Sequence, residues 1–202
     1  VTAGPGFANT LTALYVAMAA ESPMVLLSGH SPLADQGRGA FQEMAQSEMA
    51  QPVTKASWTV QDASQLGRDV ARAIGLARSG RPGPVQVSLP ADLLEAQVGD
   101  DGPSDGVAAG DSGGASINPQ DAGKALEALL ESRRPLVLAG PTLARGRGPR
   151  LAASFAERSR VPVVTMESPR GINDPSLGAF AEVLPQADTV LLLGKRLDFT
   201  LA

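Results

Sequence analysis

The sequence contains no cysteine, which excludes disulfide bridges, thiolate metal sites and a cysteine nucleophile. It has a single histidine, and aromatic residues make up only 3% of its 202 residues, so Val, Leu and Ala must fill the core. Basic runs are also missing, and the formal net charge of −4 argues against a nucleic-acid surface. The apolar run from Met24 to Leu27 is too short to cross a bilayer. We therefore expect a cytoplasmic protein that binds neither nucleic acid nor membrane.

What the sequence does contain is a regular alternation of short apolar strands and helical segments, which indicates parallel, doubly wound α/β sheets. Asp62 is a plausible N-cap for a helix that runs to about Arg78, with Leu66, Val70, Ile74 and Ala77 on one face. The other predicted elements of the first half are helices over Phe7–Ala20 and Phe41–Ala50 and strands at "MVLLSG", "PVTKASW" and "VQVSLP".

The composition changes at "GDDGPSDGVAAGDSGGAS", which offers almost nothing to bury and reads as an interdomain linker. A second α/β pattern follows, beginning with Asn118 as a cap and Pro119 at the first helical position. It continues with strands at "LVLAG", "VPVVTM" and "TVLLLG", a helix near Leu151–Ser159 and a long loop before the last strand. The predicted fold class is α/β, with two doubly wound, mainly parallel units joined by a Gly/Asp/Ser-rich linker and both units truncated. The predicted boundaries are 1–98, 99–117 for the linker, and 118–202.

Three features resemble reactive sites without the partners that such sites need. "GDSGG" surrounds Ser112 as in trypsin-like proteases, but the base and acid that would activate a serine are missing, so Ser112 is not predicted to be a nucleophile. "GDDG" lacks the spaced oxygen ligands of a cation loop. A lone histidine, His30, is more often structural than a metal ligand. No metal site is predicted within the chain.

"GPGFAN" is the motif with the strongest connection to a ligand. It resembles the dinucleotide fingerprint G-x-G-x-x-G, but Asn9 replaces the third glycine and Pro5 removes a backbone donor from the turn. A phosphate-binding P-loop is excluded because no Gly-Lys-Ser/Thr follows. Taken alone, the motif is as consistent with a tight turn that binds no ligand.

Four blocks in order resolve this ambiguity: "TAGPGFAN", "GHSPLADQGRGAFQE", "PVTKASW" and "ARSGRPGPVQVSLP". Together they resemble the pyrimidine-binding domain of thiamine-diphosphate enzymes of the acetolactate synthase family, over roughly residues 1–98. Residues 118–202, with "LVLAGPTLARG", "VPVVTMESPRG" and "ADTVLLLGKRLD", resemble the first part of the central domain of that family. The resemblance implies an internal fragment of a three-domain subunit.

The resemblance also implies roles for individual residues. The residues matching thiamine-diphosphate contacts are Thr2, Gly4, Pro5, Gly6 and Asn9. Those matching the substrate side are Phe41, Gln42 and Lys55, for which a core-packed helix start and a solvated surface lysine are the alternatives. Those matching flavin contacts are Arg81, Gly140 and Arg196. FAD occupies that position only in the flavin-dependent members, whereas relatives carry ADP or nothing there.

The resemblance places other parts of the machinery outside this chain: the catalytic glutamate lies upstream, and the Mg²⁺ ligands lie in a downstream domain. The implied activity of the full-length protein, a homodimer or homotetramer, is decarboxylation of a 2-oxo acid with transfer of the product, and the isolated fragment is expected to be inactive. Ala91 and His30 stand where some synthases have Lys and Gln. A 2-hydroxyacyl-CoA lyase, an oxalyl-CoA decarboxylase-like enzyme and a noncatalytic nucleotide-binding module therefore remain alternatives.

Overall fold

A computed structural model of the chain describes residues 1–99, 117–167 and 170–201. The chain divides into two compact units, Val1–Ala115 and Ser116–Ala202. Each unit contains a three-stranded parallel sheet with helices between its strands. The predicted α/β class with two mainly parallel units is therefore confirmed. Residues 100–116, which hold most of the predicted linker, Ser112 and nearly all of "GDDG", lie outside the described residues.

The first unit is built on strands β1 (Met24–His30), β2 (Ala56–Thr59) and β3 (Pro84–Pro90). Its α-helices are α1 (Pro5–Ala8), α2 (Leu11–Ala19), α3 (Gln46–Ala50), α4 (Leu66–Arg78) and α5 (Ala91–Glu95). Its 3₁₀ helices are Leu33–Asp35, Gln51–Val53 and Ala63–Gln65. The strand order is β1-β3-β2, and β3 pairs in parallel with both neighbours. The loops that follow the three strands therefore all emerge at one edge, the carboxyl edge of the sheet.

The central strand β3 separates two different environments because successive side chains of a strand point to opposite faces. Val85 and Val87 are fully buried and form an apolar cluster with Ala73 and Ala77 of α4. Gln86 is also fully buried, but on β3 it alternates with those valines, and it hydrogen-bonds to serine side chains. The sheet thus has one apolar face and one face with a buried polar layer.

Trp58 on β2 packs against the edge of this apolar cluster. The guanidinium carbon of Arg72 lies 4.8 Å from the centroid of its ring, within the range of a cation–π contact. Its indole Nε1 is buried and has no hydrogen-bond partner among the described residues. The single tryptophan of the chain is thus half-buried against the core of the first unit.

The second unit contains strands β4 (Pro135–Ala139), β5 (Val163–Thr165) and β6 (Thr189–Leu193) in the order β5-β4-β6. Its α-helices are α6 (Pro119–Glu131), α7 (Gly148–Ser159) and α8 (Phe180–Val183). Its 3₁₀ helices are Pro141–Ala144, Gly171–Asn173, Pro175–Leu177, Leu184–Gln186 and Phe199–Leu201. Asn118 begins α6 as predicted, because its side chain accepts a hydrogen bond from the Gln120 amide at 2.9 Å.

Both faces of β4 are covered by apolar side chains. Leu136 and Leu138 pack with Met166 and Phe180, whereas Val137 belongs to a separate cluster on the other face. Val137 is joined there by Leu129 of α6 and Val161. A strand that is buried on both faces is typical of a parallel sheet in a doubly wound fold.

Four predicted elements differ from the structure. The predicted helix over Phe7–Ala20 is two helices, because a tight turn at Thr10, whose amide bonds to Phe7 O at 2.8 Å, interrupts it. The predicted strand at "PVTKASW" begins only at Ala56, since Pro52 lies in a 3₁₀ helix and has no amide for a ladder. The predicted long loop before β6 contains α8, anchored by Phe180, which is 3% exposed.

The fourth difference is the predicted helix over Phe41–Ala50, of which only α3, beginning at Gln46, is helical. Gln42 adopts a left-handed backbone (φ 58°) that an α-helix cannot contain. In α4, Asp62 caps the preceding 3₁₀ turn, as its carboxylate accepts from the Ser64 amide at 2.8 Å. Of the predicted face of α4, Ala77 is buried and Leu66 packs against the core cluster, but Ile74 is 40% exposed and Ala73 is buried instead.

Across the described ranges 1–99, 117–167 and 170–201, the helices are too short or too polar for any of them to span a membrane.

Candidate functional site

The "GPG" turn lies at the carboxyl edge of the first sheet. Val1 precedes it and pairs beside β1, since its nitrogen donates to Leu27 O at 2.8 Å and its carbonyl accepts from the Gly29 amide at 3.0 Å. This is the hydrogen-bond pattern of a parallel neighbour. The segment that follows Val1 therefore emerges at the same edge as the loop after β1.

Gly4 has a backbone that other residues adopt only at a large cost in strain, with φ 58° and ψ −117°. It is also too crowded for a side chain, because a Cβ placed on it would lie 2.8 Å from Gln42 Cβ and 2.9 Å from Gln42 O. Gln42 itself is left-handed, with φ 58°. The turn before α1 therefore packs directly against Gln42, and any larger residue at position 4 would displace the Gln42 backbone.

The other predicted cofactor residues of this turn surround Gly4. Thr2, Pro5 and Asn9 are exposed. Gly6 faces Thr2, whose methyl group would collide with a Cβ at position 6. The structure thus brings Thr2, Gly4, Pro5, Gly6 and Asn9 together on one short segment, and their cofactor contacts stay a prediction.

A cavity of about 510 Å³ opens beside this turn at the carboxyl edge. The predicted residues Phe41 and Gln42 line it, and the Phe41 ring is 87% exposed. The remaining lining residues are Ala3, His30, Ser31, Pro32, Asp35, Arg38, Ala40 and Ala91. The first unit therefore places the "GPG" segment and the predicted substrate-side pair around one cavity.

His30, at the end of β1, lines the cavity and is only 9% exposed. Its Nε2 lies 3.1 Å from Met44 O. Its Nδ1 lies 3.2 Å from Ser31 O, 3.1 Å from Ser31 Oγ and 3.2 Å from Gln36 Nε2. Both ring nitrogens thus lie within hydrogen-bond distance of protein atoms.

Glu43 holds the loop between β1 and α3 in shape. Its carboxylate accepts from the amides of Gly37 at 2.5 Å, Ala40 at 3.0 Å and Gly39 at 3.1 Å. The hydrogen bonds from Gly37 and Ala40, the largest contributions that stabilise the anion, lower the pKa of Glu43. The Glu43 carboxylate thus fixes the backbone of residues 37–40.

Lys55 and Arg81 lie at the opposite, amino edge of the same sheet, where each precedes a strand. Lys55 Nζ donates to Leu76 O at 2.5 Å and to Ser79 O at 2.6 Å, which satisfies carbonyls at the C-terminal end of α4. Burial lowers the pKa of Lys55. The structure does not bring Lys55 to the cavity of Phe41 within this unit, and its substrate-side role stays a prediction.

Arg81 forms an ion pair with Glu21, whose side chain is only 3% exposed while that of Arg81 is 44% exposed. Glu21 has a left-handed backbone (φ 52°) at the turn after α2. The Arg81 guanidinium has a structural role, because it compensates the charge of the buried Glu21 carboxylate. Its flavin contact stays a prediction.

In the second unit, Gly140 follows β4 and Gly194 follows β6, again at a carboxyl edge. A Cβ on Gly140 would collide with the carbonyl of Gly194, which has φ 63°. Arg196 is exposed two residues beyond Gly194. The structure therefore brings the predicted flavin residues Gly140 and Arg196 to one edge of the second sheet, where ligands of open α/β sheets usually bind.

Comparison of the sequence with known proteins identifies a matching family and several relatives. Residues 1–49 match the family described as thiamine pyrophosphate enzyme, N-terminal TPP binding domain. Oxalyl-CoA decarboxylase of Escherichia coli (strain K12) is 33% identical over 207 residues, which cover 98% of this chain and 37% of the relative. The acetolactate synthase large subunit of Parasynechococcus marenigrum (strain WH8102) is 31% identical over 98% of this chain and 34% of the relative. The chain belongs to the thiamine-diphosphate-dependent enzymes of the acetolactate synthase family.

Glyoxylate carboligase of Escherichia coli O157:H7 is a further relative, 34% identical over 81% of this chain and 27% of the relative. The chain thus spans about a third of the length of the curated relatives it matches. The family match over residues 1–49 contains the whole "GPG" segment together with Phe41 and Gln42.

One residue that contacts the "GPG" segment was missed by the sequence interpretation. Gln46, at the start of α3, is fully buried and accepts a hydrogen bond from the Gly4 amide at 2.7 Å. A signal for it was present in the serines of "MVLLSG" and "VQVSLP", Ser28 and Ser88, since a buried serine in an apolar strand needs a polar partner. The partner's position in the chain could not be read from the strands.

Proposed function

We propose that this chain forms the pyrimidine-binding segment and part of the central domain of a thiamine-diphosphate-dependent enzyme. The proposed reaction is decarboxylation of a 2-oxo acid, or of an acyl-CoA thioester whose acyl end keeps a free carboxylate, with transfer of the product to an acceptor as the carboligase alternative. The observation that carries the proposal is the turn at Gly4, which belongs to the segment that matches the thiamine pyrophosphate family and borders a cavity.

The residues present would fit the aromatic ring of the cofactor beside the turn. Gly4 and Gly6 have no side chains to hold the ring away from the backbone. Thr2 and Asn9 are exposed and supply a hydroxyl and an amide that can donate to or accept from ring nitrogens. Thiamine diphosphate supplies a carbon centre that stabilises negative charge, and the role of these residues is to bind and orient it.

The cavity beside Phe41 and Gln42 is the proposed substrate side. Its volume of about 510 Å³ suits a small acid or the acyl end of a larger thioester. The exposed Phe41 ring would exclude water from the reacting atoms when substrate covers it. Oxalyl-CoA decarboxylase matches 98% of this chain at 33% identity, whereas glyoxylate carboligase matches 81% of it, so oxalyl-CoA is the substrate to test first.

The remaining assignments are proposals from the family. Mg²⁺ is proposed to be held by residues outside this chain. FAD is proposed for the edge of the second sheet that carries Gly140 and Arg196, since arginine binds diphosphate in a bidentate manner. Arg81 is proposed as a further flavin contact. A homodimer or homotetramer in the cytoplasm completes the proposal.

The experiment uses the full-length protein and two variants. Asn9→Ala is expected to weaken thiamine-diphosphate binding by about 1–3 kcal/mol, because a ring atom loses its hydrogen-bond partner. Arg81→Ala is expected to leave that affinity unchanged and to weaken FAD. The measurement is calorimetric titration with each cofactor in the presence of Mg²⁺. Asn173→Ala, at an exposed asparagine of the second unit, is the matched control.

The proposal is wrong if the wild-type protein does not bind thiamine diphosphate, or if Arg81→Ala abolishes binding while Asn9→Ala does not. Because Arg81 pairs with Glu21, each variant is compared after its folded fraction has been measured. The substrate is then identified by the release of CO₂ from oxalyl-CoA, glyoxylate and pyruvate in parallel assays. Turnover of none of them with bound cofactor would favour the noncatalytic alternative.

A further inference from the structure

The side chain of Gln46 connects the cofactor turn to the sheet. Its Oε1 accepts from the Gly4 amide at 2.7 Å, and its Nε2 lies 3.0 Å from Gly29 O. Gly4 N can only donate and Gly29 O can only accept, so the orientation of the amide group is unambiguous. Gln46 is fully buried and therefore has no water to replace these partners.

The Gly4 amide depends on this contact. It is buried at the start of α1, where backbone donors have no partner within the helix. The neighbouring amides of Gly6 and Ala8 bond within the segment, to Ala3 O at 3.3 Å and Gly4 O at 2.9 Å. Without Gln46, Gly4 would keep a buried donor without an acceptor, and the turn would gain freedom to move.

Gln86 is a natural comparison for Gln46. Both are fully buried glutamines, and the Nε2 atom of each donates to Ser28 Oγ and Ser88 Oγ, at distances between 2.8 and 3.1 Å. Gln86 Oε1, however, has no hydrogen-bond partner among the described residues. Both glutamines therefore contact Ser28 and Ser88, but of the two only Gln46 bonds to Gly4.

We propose that Gln46 is a positioning residue for thiamine diphosphate, acting through the Gly4 amide and not by contact with the cofactor. The proposal rests on the proposed function, because the segment it positions is the one assigned to the pyrimidine ring. Gln46 holds the turn at a fixed distance from the carboxyl edge of the sheet. It would thereby also fix the position of the pyrimidine ring that the turn is proposed to bind.

The test compares Gln46→Met with Gln86→Met in the full-length protein. Each variant replaces the amide group of a buried glutamine with the apolar end of a methionine of similar length. Both are expected to lower the midpoint temperature of thermal unfolding. Gln46→Met is expected to raise the dissociation constant of thiamine diphosphate about tenfold, the equivalent of one lost buried hydrogen bond. Gln86→Met is expected to change that constant by less than about twofold, within the usual scatter of a mutation without a direct contact. Equal losses of affinity in the two variants, or an unchanged affinity in Gln46→Met, would overturn the proposal.

Amide hydrogen exchange separates this proposal from the proposed function. In the wild-type protein without cofactor, the Gly4 amide is expected to exchange slowly, because Gln46 protects it. In Gln46→Met it is expected to exchange faster than in Gln86→Met. Rapid exchange at Gly4 in the wild-type protein overturns the positioning role even if Gln46→Met does not fold. Slow exchange in a protein that binds no thiamine diphosphate would leave the anchoring role intact and refute the cofactor assignment alone.

Discussion

Gly4 and Gln42 approach each other so closely that a single methyl group cannot be inserted between them: a Cβ on Gly4 would lie 2.8 Å from Gln42 Cβ. Both residues have φ 58°, a value that glycine tolerates and glutamine adopts rarely. The turn that carries the predicted cofactor residues and the segment that carries Phe41 are therefore one packed assembly.

Replacement of Gly4 by alanine is expected to destabilise the first unit by about 2 kcal/mol or more, because the new side chain is strained and meets backbone atoms. Thiamine-diphosphate affinity should fall with it. Gly75→Ala is the matched control: Gly75 lies inside α4, a Cβ there meets no described atom within 4 Å, and the expected change is a gain of about 0.5–1 kcal/mol. Chemical denaturation of both variants gives the comparison, and a stable Gly4→Ala protein would contradict the geometry.

In the second unit, Gly140→Ala is expected to disrupt the junction of β4 and β6. The added methyl group collides with the backbone of Gly194, which cannot swing away as a flexible side chain could. We expect a loss of about 2–4 kcal/mol, comparable to overpacking in a core. Gly123→Ala in α6, where a Cβ has open space among the described residues, is expected to be neutral or stabilising. Circular dichroism during thermal unfolding distinguishes these outcomes.

Lys55→Met separates the observed role of Lys55 from the predicted one. Loss of its ammonium leaves Ser79 O without this donor, whereas Leu76 O keeps the Ser79 hydroxyl at 3.0 Å, so stability is expected to fall by about 1–2 kcal/mol. If Lys55 acts only at the end of α4, KM and kcat measured on the remaining folded enzyme should be unchanged. A large rise in KM at unchanged stability would instead establish the substrate-side role.

Acid unfolding of the second unit is expected to depend on Asp198. The Thr200 hydroxyl and then the Lys195 ammonium, at 2.5 and 3.0 Å, lower the pKa of Asp198 to about 2. Because the folded pKa lies below the unfolded value of about 3.9, the stabilisation is fully present above pH 4 and is lost as the pH falls toward 2. Asp198→Asn should reduce stability by about 1–2 kcal/mol at pH 7 and flatten this part of the profile. Identical acid profiles for the variant and the wild type would contradict the assignment.

The parts of the fold that could be predicted are those encoded locally. The apolar runs of the strands and the cap at Asn118 depend on neighbouring residues; the cap and every strand are found, although β2 begins only at Ala56. The segment around Gln42 could not be predicted, because its left-handed backbone is maintained by contact with Gly4, 38 positions earlier, and by the loop that Glu43 holds. Helical propensity was the only local signal there, and tertiary contacts outweighed it.

The candidate site was predicted unevenly for the same reason. The residues of the "GPG" segment are adjacent in sequence and therefore adjacent in space. Lys55 and Arg81 each precede a strand, whereas Phe41 follows one, and a parallel sheet places the starts and the ends of its strands at opposite edges. The order of blocks along the chain does not show which edge a residue occupies, whereas the register of β2 and β3 does.

The half-buried position of Trp58 has a practical consequence for measurements on this chain. The sequence contains one tryptophan and one tyrosine, Trp58 and Tyr15, and both belong to the first unit. Tryptophan and tyrosine emission from this chain is therefore a signal from the first unit alone, because the aromatic residues of the second unit are phenylalanines. The two units can be followed separately in a single denaturation experiment, with emission reporting on the first and the remaining change in far-ultraviolet ellipticity on the second.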